Sequence, residues 1–358
     1  MTKVLILTQD LFINLHNGVS RYYQVIVEKN PDVQFYYFAR SKNVFHQSNI
    51  KKIDYFGRNF DMEEMLKSVS HENFDIIEFL DSNVYPLNMD KLLRNYSVGY
   101  NKLFVTLHGN NSNVLKWTQK YVHNFSTDIK LVKKHEKSIY KLADKFVYIS
   151  PTYANQIIRN KKKSILIDFH NFIEDINEAS CKCIDDQQIT ITSVGRQNST
   201  KGIQDFIWLE QNSKFKNMNF EYYGSASEIY TERQYIANIT SNSKIIQGIL
   251  PRSEINKIYS CPHRIFLIPS FFDSFNLVLA EILYSKGRVV SSSRVLGVSQ
   301  FKRSSSLHVY KFSSITYFRR RRLLRAIEKA MQDNFDRKNL KIESAVNKCV
   351  EINKIYDE

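Results

Sequence analysis

The stretch Arg264-Ile265-Phe266-Leu267-Ile268-Pro269-Ser270-Phe271-Phe272-Asp273-Ser274-Phe275-Asn276-Leu277-Val278-Leu279-Ala280-Glu281 changes character twice. An apolar run of strand length ends at Pro269, a loop follows, and helical spacing sets in at Leu277. A strand–loop–helix unit leaves the first helix amides without partners, at the positive end of the helix dipole, which favours an anion. Asp273 stands in the loop and Glu281 on the helix eight positions later, with Ser274, Phe275, Asn276 and Leu277 at the helix start. Two acids so placed can hold sugar hydroxyls on either side of a phosphate group. The plainer use of such a pair is a helix cap and a solvated acid.

Similar units recur on both sides. Downstream of residue 188 the pattern predicts strands at 189–194, 220–223, 244–246, 264–268 and 288–290. Helices are expected at 203–210, 254–259 and 277–284, with further helix between 323 and 356. Upstream, strands are expected at 4–8, 33–38, 74–79, 102–107, 145–150 and 165–167, and helices at 19–27 and 131–142. Alternation of this kind argues for parallel sheets with helices on both faces, built twice. The break falls at 171–186, where Glu174-Asp175 and Asp185-Asp186 interrupt the apolar pattern. Ligands of such sheets bind at the carboxyl ends of the strands. Gly195-Arg196, Gly224, Gly248 and the Asp273 loop follow strands of the second half, and Gly18 and His108-Gly109 follow strands of the first.

The chain's 358 residues suit two domains, and 43% hydrophobic residues exclude disorder as the main state. Ten Gly and six Pro exclude collagen-like material. No apolar run has membrane-span length, and the first residues lack a leader pattern. Cys181, Cys183, Cys261 and Cys349 lack the paired spacing of a zinc site, so reduced cytosolic thiols are expected. Lys and Arg number 51 against 36 Asp and Glu, a formal charge of +15. That charge calls for nucleic acid, anionic lipid or a phosphorylated small molecule, unless the lysines serve solubility alone.

The Asp273-to-Glu281 segment resembles the acid-x7-acid motif of the retaining family-4 glycosyltransferases, with Asp for the usual first Glu and Ser-Phe-Asn-Leu for Gly-Phe-Gly-Leu. Other landmarks fall in the same order. Ser193-Val194-Gly195-Arg196 through Lys201-Gly202 is similar to the family's Gly-Arg…Lys-Gly loop, and Asn17-Gly18-Val19 to its Gly-Gly-Val loop. Thr106-Leu107-His108-Gly109 resembles its His-Gly segment, and Asn171-Phe172-Ile173-Glu174 its interdomain junction. Glu136 and residues 143–150 fit the unit before the crossover, and the match thins after Val290.

The resemblance implies an α/β chain of the GT-B fold, with two Rossmann-like doubly wound parallel-sheet domains facing across a cleft. Residues 1–175 would form the acceptor-side domain and 176–335 the nucleotide-sugar domain, with a C-terminal helix at 336–358 packing back on the first. It implies a hexosyltransferase-type enzyme that moves a sugar, with retention, from a nucleotide diphosphate sugar, UDP ahead of GDP, to a hydroxyl of a glycan or lipid-linked acceptor. A composition rich in Lys, Asn, Ile, Phe and Tyr suits an AT-rich bacterial genome, hence surface polysaccharide or lipopolysaccharide synthesis. By the same resemblance Arg196 and Lys201 hold the diphosphate, Asp273 orients the donor sugar and Glu281 the ribose. Gly18, Gly195, Gly224, Ser274, Phe275, Asn276 and Leu277 line the donor site, and His108 faces the reaction from the first domain. Arg's fork and a lysine match a departing diphosphate. No Asp-x-Asp triplet occurs, so neither metal nor cofactor is expected, and fixed cations and the helix start would carry the charge.

The basic tracts are Phe318-Arg319-Arg320-Arg321-Arg322-Leu323-Leu324-Arg325, Lys161-Lys162-Lys163, and Lys130, Lys133, Lys134 and Lys137. No recognised nucleic-acid module accompanies them, so no nucleic acid is expected. An anionic membrane surface is a candidate partner, better served by lysines 130–137 in the first domain, against the plain reading of a solvated helix face. A cytoplasmic protein, peripheral on the inner face of the membrane, fits these expectations. The competing readings are a non-enzymatic basic RNA- or lipid-binding protein and another GT-B enzyme such as a sugar-nucleotide epimerase.

Overall fold

The computed structural model describes residues 1–9, 11, 18–39, 45–54, 61–122, 126–158, 164–173, 188–227, 229–241, 243, 245–332 and 349–357. Two compact units emerge, one of Met1–Ser112, Asp128–Phe172 and Val346–Glu358, the other of Asn113–Thr127 and Ile173–Ala345. Asn113–Thr127, expected in the first half, thus packs with the second. The reason is aromatic: Trp117 meets Phe271 and Phe312 edge-on at 5.2 and 5.4 Å.

The first unit runs β1 (Thr2–Gln9), α1 (Gly18–Lys29), β2 (Val33–Ala39), β3 (Ile50–Asp54), α2 (Met62–Lys67), β4 (Asn73–Leu80), α3 (Met89–Asn95), β5 (Gly99–Leu107), the start of α4 (Asn111–Tyr121), α5 (Ile129–Leu142), β6 (Lys145–Tyr148), α6 (Pro151–Ile157) and β7 (Ser164–Leu166). Its seven strands are all parallel, in the order β3-β2-β1-β4-β5-β6-β7. Val4, Leu5, Ile6 and Leu7 of β1 are fully buried, as a central parallel strand covered on both faces requires. β3 escapes the sequence pattern because it is an edge strand with exposed Lys51 and Lys52, charges that protect an open edge.

One carboxyl group ties this core together. Glu78 of β4 accepts from the Tyr23 hydroxyl at 2.6 Å, the Tyr356 hydroxyl at 2.8 Å and the Thr106 hydroxyl. Burial raises its pKa, and the three donors oppose that shift. Tyr356 belongs to residues 349–357, where Val350 bridges Ile167 and Ile352–Lys354 make a single 3-10 turn. The described part of the expected C-terminal helix is therefore a bridge and a turn, and residues 333–348 lie outside the described residues.

The second unit runs β8 (Thr190–Val194), α7 (Ile203–Glu210), β9 (Asn219–Tyr223), α8 (Tyr230–Thr240), β10 (Ile246–Gly248), α9 (Arg252–Tyr259), β11 (Arg264–Ile268), α10 (Leu277–Tyr284), β12 (Arg288–Ser292), β13 (Leu307–Tyr310) and α11 (Thr316–Gln332). Six parallel strands follow the order β10-β9-β8-β11-β12-β13. Ile191, Phe206, Tyr222, Leu267, Leu323 and Ile327 lie in one core cluster. α11 starts at Thr316, seven residues before the expected onset, because Arg319 turns inward. Its guanidinium donates to both oxygens of the fully buried Asp205 of α7, at 2.5 and 3.1 Å, and stacks over Phe271 at 4.6 Å. Arg320 reaches the same carboxylate at 3.3 Å. Two of the five arginines in this tract are thus internal wiring.

Cys349 is a free thiol. Cys181, Cys183, Lys161, Lys162, Lys163, Asn17, Glu174, Asp175, Asp185 and Asp186 lie outside the described residues. No described helix is long and apolar enough to cross a membrane.

Candidate active site

In the second unit, parallel strands deliver their loops to one sheet edge. β8 ends at Gly195, whose amide donates to the Tyr223 carbonyl of β9 at 2.9 Å. Gly224 ends β9, and a Cβ there would sit 1.9 Å from the Gly195 carbonyl oxygen at a φ of +151°. Only bare backbone therefore fits at Gly224, which lets the two loops touch. Gln197 stitches the loops together, its amide to the Ser225 carbonyl at 2.8 Å and its side chain to the Gly224 carbonyl at 3.2 Å.

Asn198 caps the turn that follows, accepting from the Lys201 amide at 2.9 Å. Gly202 closes it at φ +78°, where a Cβ would meet the Pro269 carbonyl oxygen at 2.3 Å. That contact sets the Lys201 loop against the loop after β11, and the Phe271 amide bonds the Thr200 carbonyl at 2.7 Å. The result is an ion pair between Lys201 Nζ and Asp273 Oδ2, 72 residues apart in sequence. The side chains are 28% and 11% exposed, so the pair is sheltered yet reachable. Asn276 Nδ2 donates to the same Asp273 oxygen at 2.8 Å.

Asn276 has a second duty. It sits at φ +71°, a left-handed conformation that Asn tolerates, and its Oδ1 caps α10 through the Leu279 amide at 2.9 Å. The amides of Leu277 and Val278 have no intrahelical acceptor by helix geometry, so they lie at the positive helix end beside Asp273. Asp273 is pinned by backbone as well, its amide to the Arg294 carbonyl at 3.2 Å and its carbonyl to the Leu296 amide at 2.9 Å. Ser274 and Phe275 are buried, and the Phe275 carbonyl presses on Gly297, where a Cβ would come within 2.1 Å. Lys201, Asp273, Asn276 and Leu277 are therefore brought together.

Two other expected residues lie on the same segments, Arg196 on the loop after β8 and Glu281 on α10. Arg196 is exposed, and among the described residues no side-chain partner joins it to Asp273 or Lys201. Glu281 lies a turn into α10, 1% exposed, with the Tyr259 hydroxyl donating to it at 3.4 Å. Sequence reading missed Glu232 of α8. It accepts from the Ser199 amide at 2.8 Å, from the Ser199 hydroxyl and from the Ser227 hydroxyl at 2.6 Å. Through them it joins the Lys201 loop to the loop after β9. Nothing in the linear sequence marks Glu232, since its partners are distant in it.

In the first unit, Gly18 opens α1, and among the described residues nothing lies within 4 Å of where a Cβ would be. His108 follows β5 and packs edge-on against Tyr22 at 4.7 Å. Burial lowers its pKa to about 3, so the ring is neutral at physiological pH, although the residue keeps some accessible surface. The loop is held by Asp81, at the carboxyl end of β4. One oxygen accepts from the His108 and Gly109 amides at 2.7 and 2.9 Å, and the other from the Tyr153 hydroxyl at 2.5 Å. Burial pushes Asp81 up to about 7 in spite of these donors. The sequence signal for Asp81 was an acid directly after a buried strand. Among the described residues no group of three or more His, Cys, Asp or Glu is placed to hold a metal ion.

No family model matches the chain, and no curated protein matches its sequence. Solved structures do match. The sucrose-phosphate synthase of Thermosynechococcus elongatus superposes with a TM-score of 0.69 at 14% identity, over 93% of this chain and 90% of that one. The Anabaena protein HepE, solved with UDP and glucose, gives 0.59 at 13% identity over 94% and 96%. The lipopolysaccharide outer core galactosyltransferase WaaB, in its apo form, gives 0.53 at 16% identity over 92% and 91%. At such identities the likeness defines the fold, and the chain has the GT-B fold of two parallel-sheet α/β domains.

Proposed function

We propose that this chain is a glycosyltransferase that moves a sugar from a nucleoside diphosphate sugar, UDP first, to a hydroxyl of a glycan or lipid-linked acceptor. The observation that carries the reading is the Lys201–Asp273–Asn276 constellation at the N-terminus of α10. A donor diphosphate entering there meets an ammonium and a helix start, preorganised for the charge that grows as the glycosidic bond breaks. Asp273, fixed at both backbone ends, would take sugar hydroxyls once Lys201 turns to phosphate. Arg196, exposed on the adjoining loop, would close on the diphosphate, and Glu281 would serve the ribose. Gly195, Gly224, Ser274, Phe275 and Leu277 would let the donor approach bare backbone. Gly18 and neutral His108 would serve the acceptor side. HepE's complex with UDP and glucose supports a nucleotide-sugar donor, and WaaB's role in its name supports surface-glycan synthesis. Retention and independence of metal rest on the motif resemblance, with the leaving phosphate taking the acceptor proton.

The test is a melting-temperature screen with UDP, GDP, ADP and their sugars. A ligand at ~100 times its Kd stabilises the native state by about 2.7 kcal/mol. UDP or a UDP sugar is expected to raise Tm, and Lys201→Ala to lose that rise and the donor turnover with an unchanged circular dichroism spectrum. No shift with any nucleotide, an undiminished Lys201→Ala variant, or isomerised free donor as the product would refute the reading.

A further inference from the structure

Residues 282–327 contain eleven Lys and Arg and no Asp or Glu. Within that stretch three large apolar residues stand in solvent at the start of α11: Ile315 at 57%, Tyr317 at 66% and Phe318 at 46% exposure. The Tyr317 and Phe318 rings touch edge-on at 5.5 Å, so they form one patch. At 3.6 residues per turn, Tyr317, Phe318, Arg321, Arg322 and Arg325 fall within an arc of about 140°. The buried residues Arg319, Leu323, Ile327 and Ala330 occupy the opposite side. The outward face of α11 is thus an apolar tip followed by an arginine stripe.

Lys120 extends the stripe around the tip, its Nζ donating to the Ser314 carbonyl at 3.0 Å. Desolvation, Arg319 and Lys116 together lower its pKa, the mark of a crowded cationic surface. The nearest acid on the outward face, Glu328, is paired with Lys214 at 2.9 Å.

We propose that the start of α11 is a docking surface for an anionic lipid bilayer, with Ile315, Tyr317 and Phe318 entering the interface and Arg321, Arg322 and Arg325 meeting lipid phosphates. The chemistry selects this occupant. Ile315 and Phe318 carry no polar handle and gain by leaving water, which a polyanion groove does not offer. Tyrosine and long arginine stems suit the boundary between hydrocarbon and headgroups. A second copy in the same orientation would set like charges against each other. This surface is independent of the donor site, so its test does not depend on the proposed activity.

The full chain is sedimented with vesicles of phosphatidylcholine alone and with vesicles holding about one part phosphatidylglycerol to three, where each surface cation is worth roughly fivefold in partitioning. Binding is expected to the anionic vesicles only, and to fall as salt shortens the screening length. Arg321→Gln with Arg325→Gln should weaken it about 25-fold. Tyr317→Ser with Phe318→Ser should weaken it about tenfold or more. All four side chains project outward, and unchanged melting curves check that the variants fold. Equal binding to both vesicle types, no binding, or variants that bind like the parent would overturn the proposal. So would single-stranded RNA that binds the same variants' parent and displaces it from vesicles, which would mark a nucleic-acid site.

Discussion

Replacing Asp81 by Asn separates the charge of this side chain from its shape. Asp81 is 3% exposed and its pKa is pushed up to about 7 from an ordinary 3.8, with burial the largest cause. A raised native pKa means that the folded chain holds a proton the unfolded chain has released. The associated stability is complete below pH 3.8 and is lost as pH rises through 7. The span is 7 − 3.8 = 3.2 units, and at 1.36 kcal/mol per unit it amounts to about 4 kcal/mol. Asn cannot titrate and keeps one oxygen for the His108 and Gly109 amides. The stability of the parent relative to Asp81→Asn should therefore fall by about 4 kcal/mol between pH 4 and 7 and then level off. Tryptophan fluorescence is the wrong probe, since Trp117 and Trp208 both lie in the second unit. Amide exchange in β4 and β5, corrected for the intrinsic pH dependence of exchange, reads the first unit directly. A difference that stays flat, or that rises with pH, refutes the reasoning, because the three donors would then outweigh the burial.

Arg319→Met should destabilise the second unit by roughly 3–5 kcal/mol, because it strands the carboxylate of Asp205 inside the core with only the 3.3 Å contact from Arg320; urea unfolding followed by tryptophan fluorescence checks this, and Asp205→Leu added to it should restore much of the loss. Glu232→Gln leaves one acceptor for three donors at a buried site, at a penalty of about 1–3 kcal/mol. Because Glu232 steadies the loop that carries Lys201, donor KM should rise about tenfold while kcat moves little; a fall in kcat alone would assign it another role.

How far the sequence reaches depends on the range of the interaction concerned. The central strands β1 and β11 were legible because a parallel strand covered on both faces is a continuous apolar run. Edge strands β3 and β13 were not, because three of the five residues of β3 are exposed and β13 is only four residues long, with Val309 facing water. The start of α10 could be read at Asn276, since a cap and the helix it opens are neighbours in the chain. The early start of α11 was hidden because Arg319 inverts the usual rule, and only Asp205 from another helix makes its burial tolerable.

Local pattern by itself therefore determined two α/β halves and the order of candidate groups along them. Tertiary structure alone decided that Lys201 meets Asp273, that Glu232 braces the loop, and that residues 113–127 pack with the second unit. Hydrophobic period and capping act over a few residues and leave their mark in the linear order. An ion pair across 72 positions, or a carboxyl group held by hydroxyls from separate strands and helices, depends on where the chain returns, which no local spacing encodes.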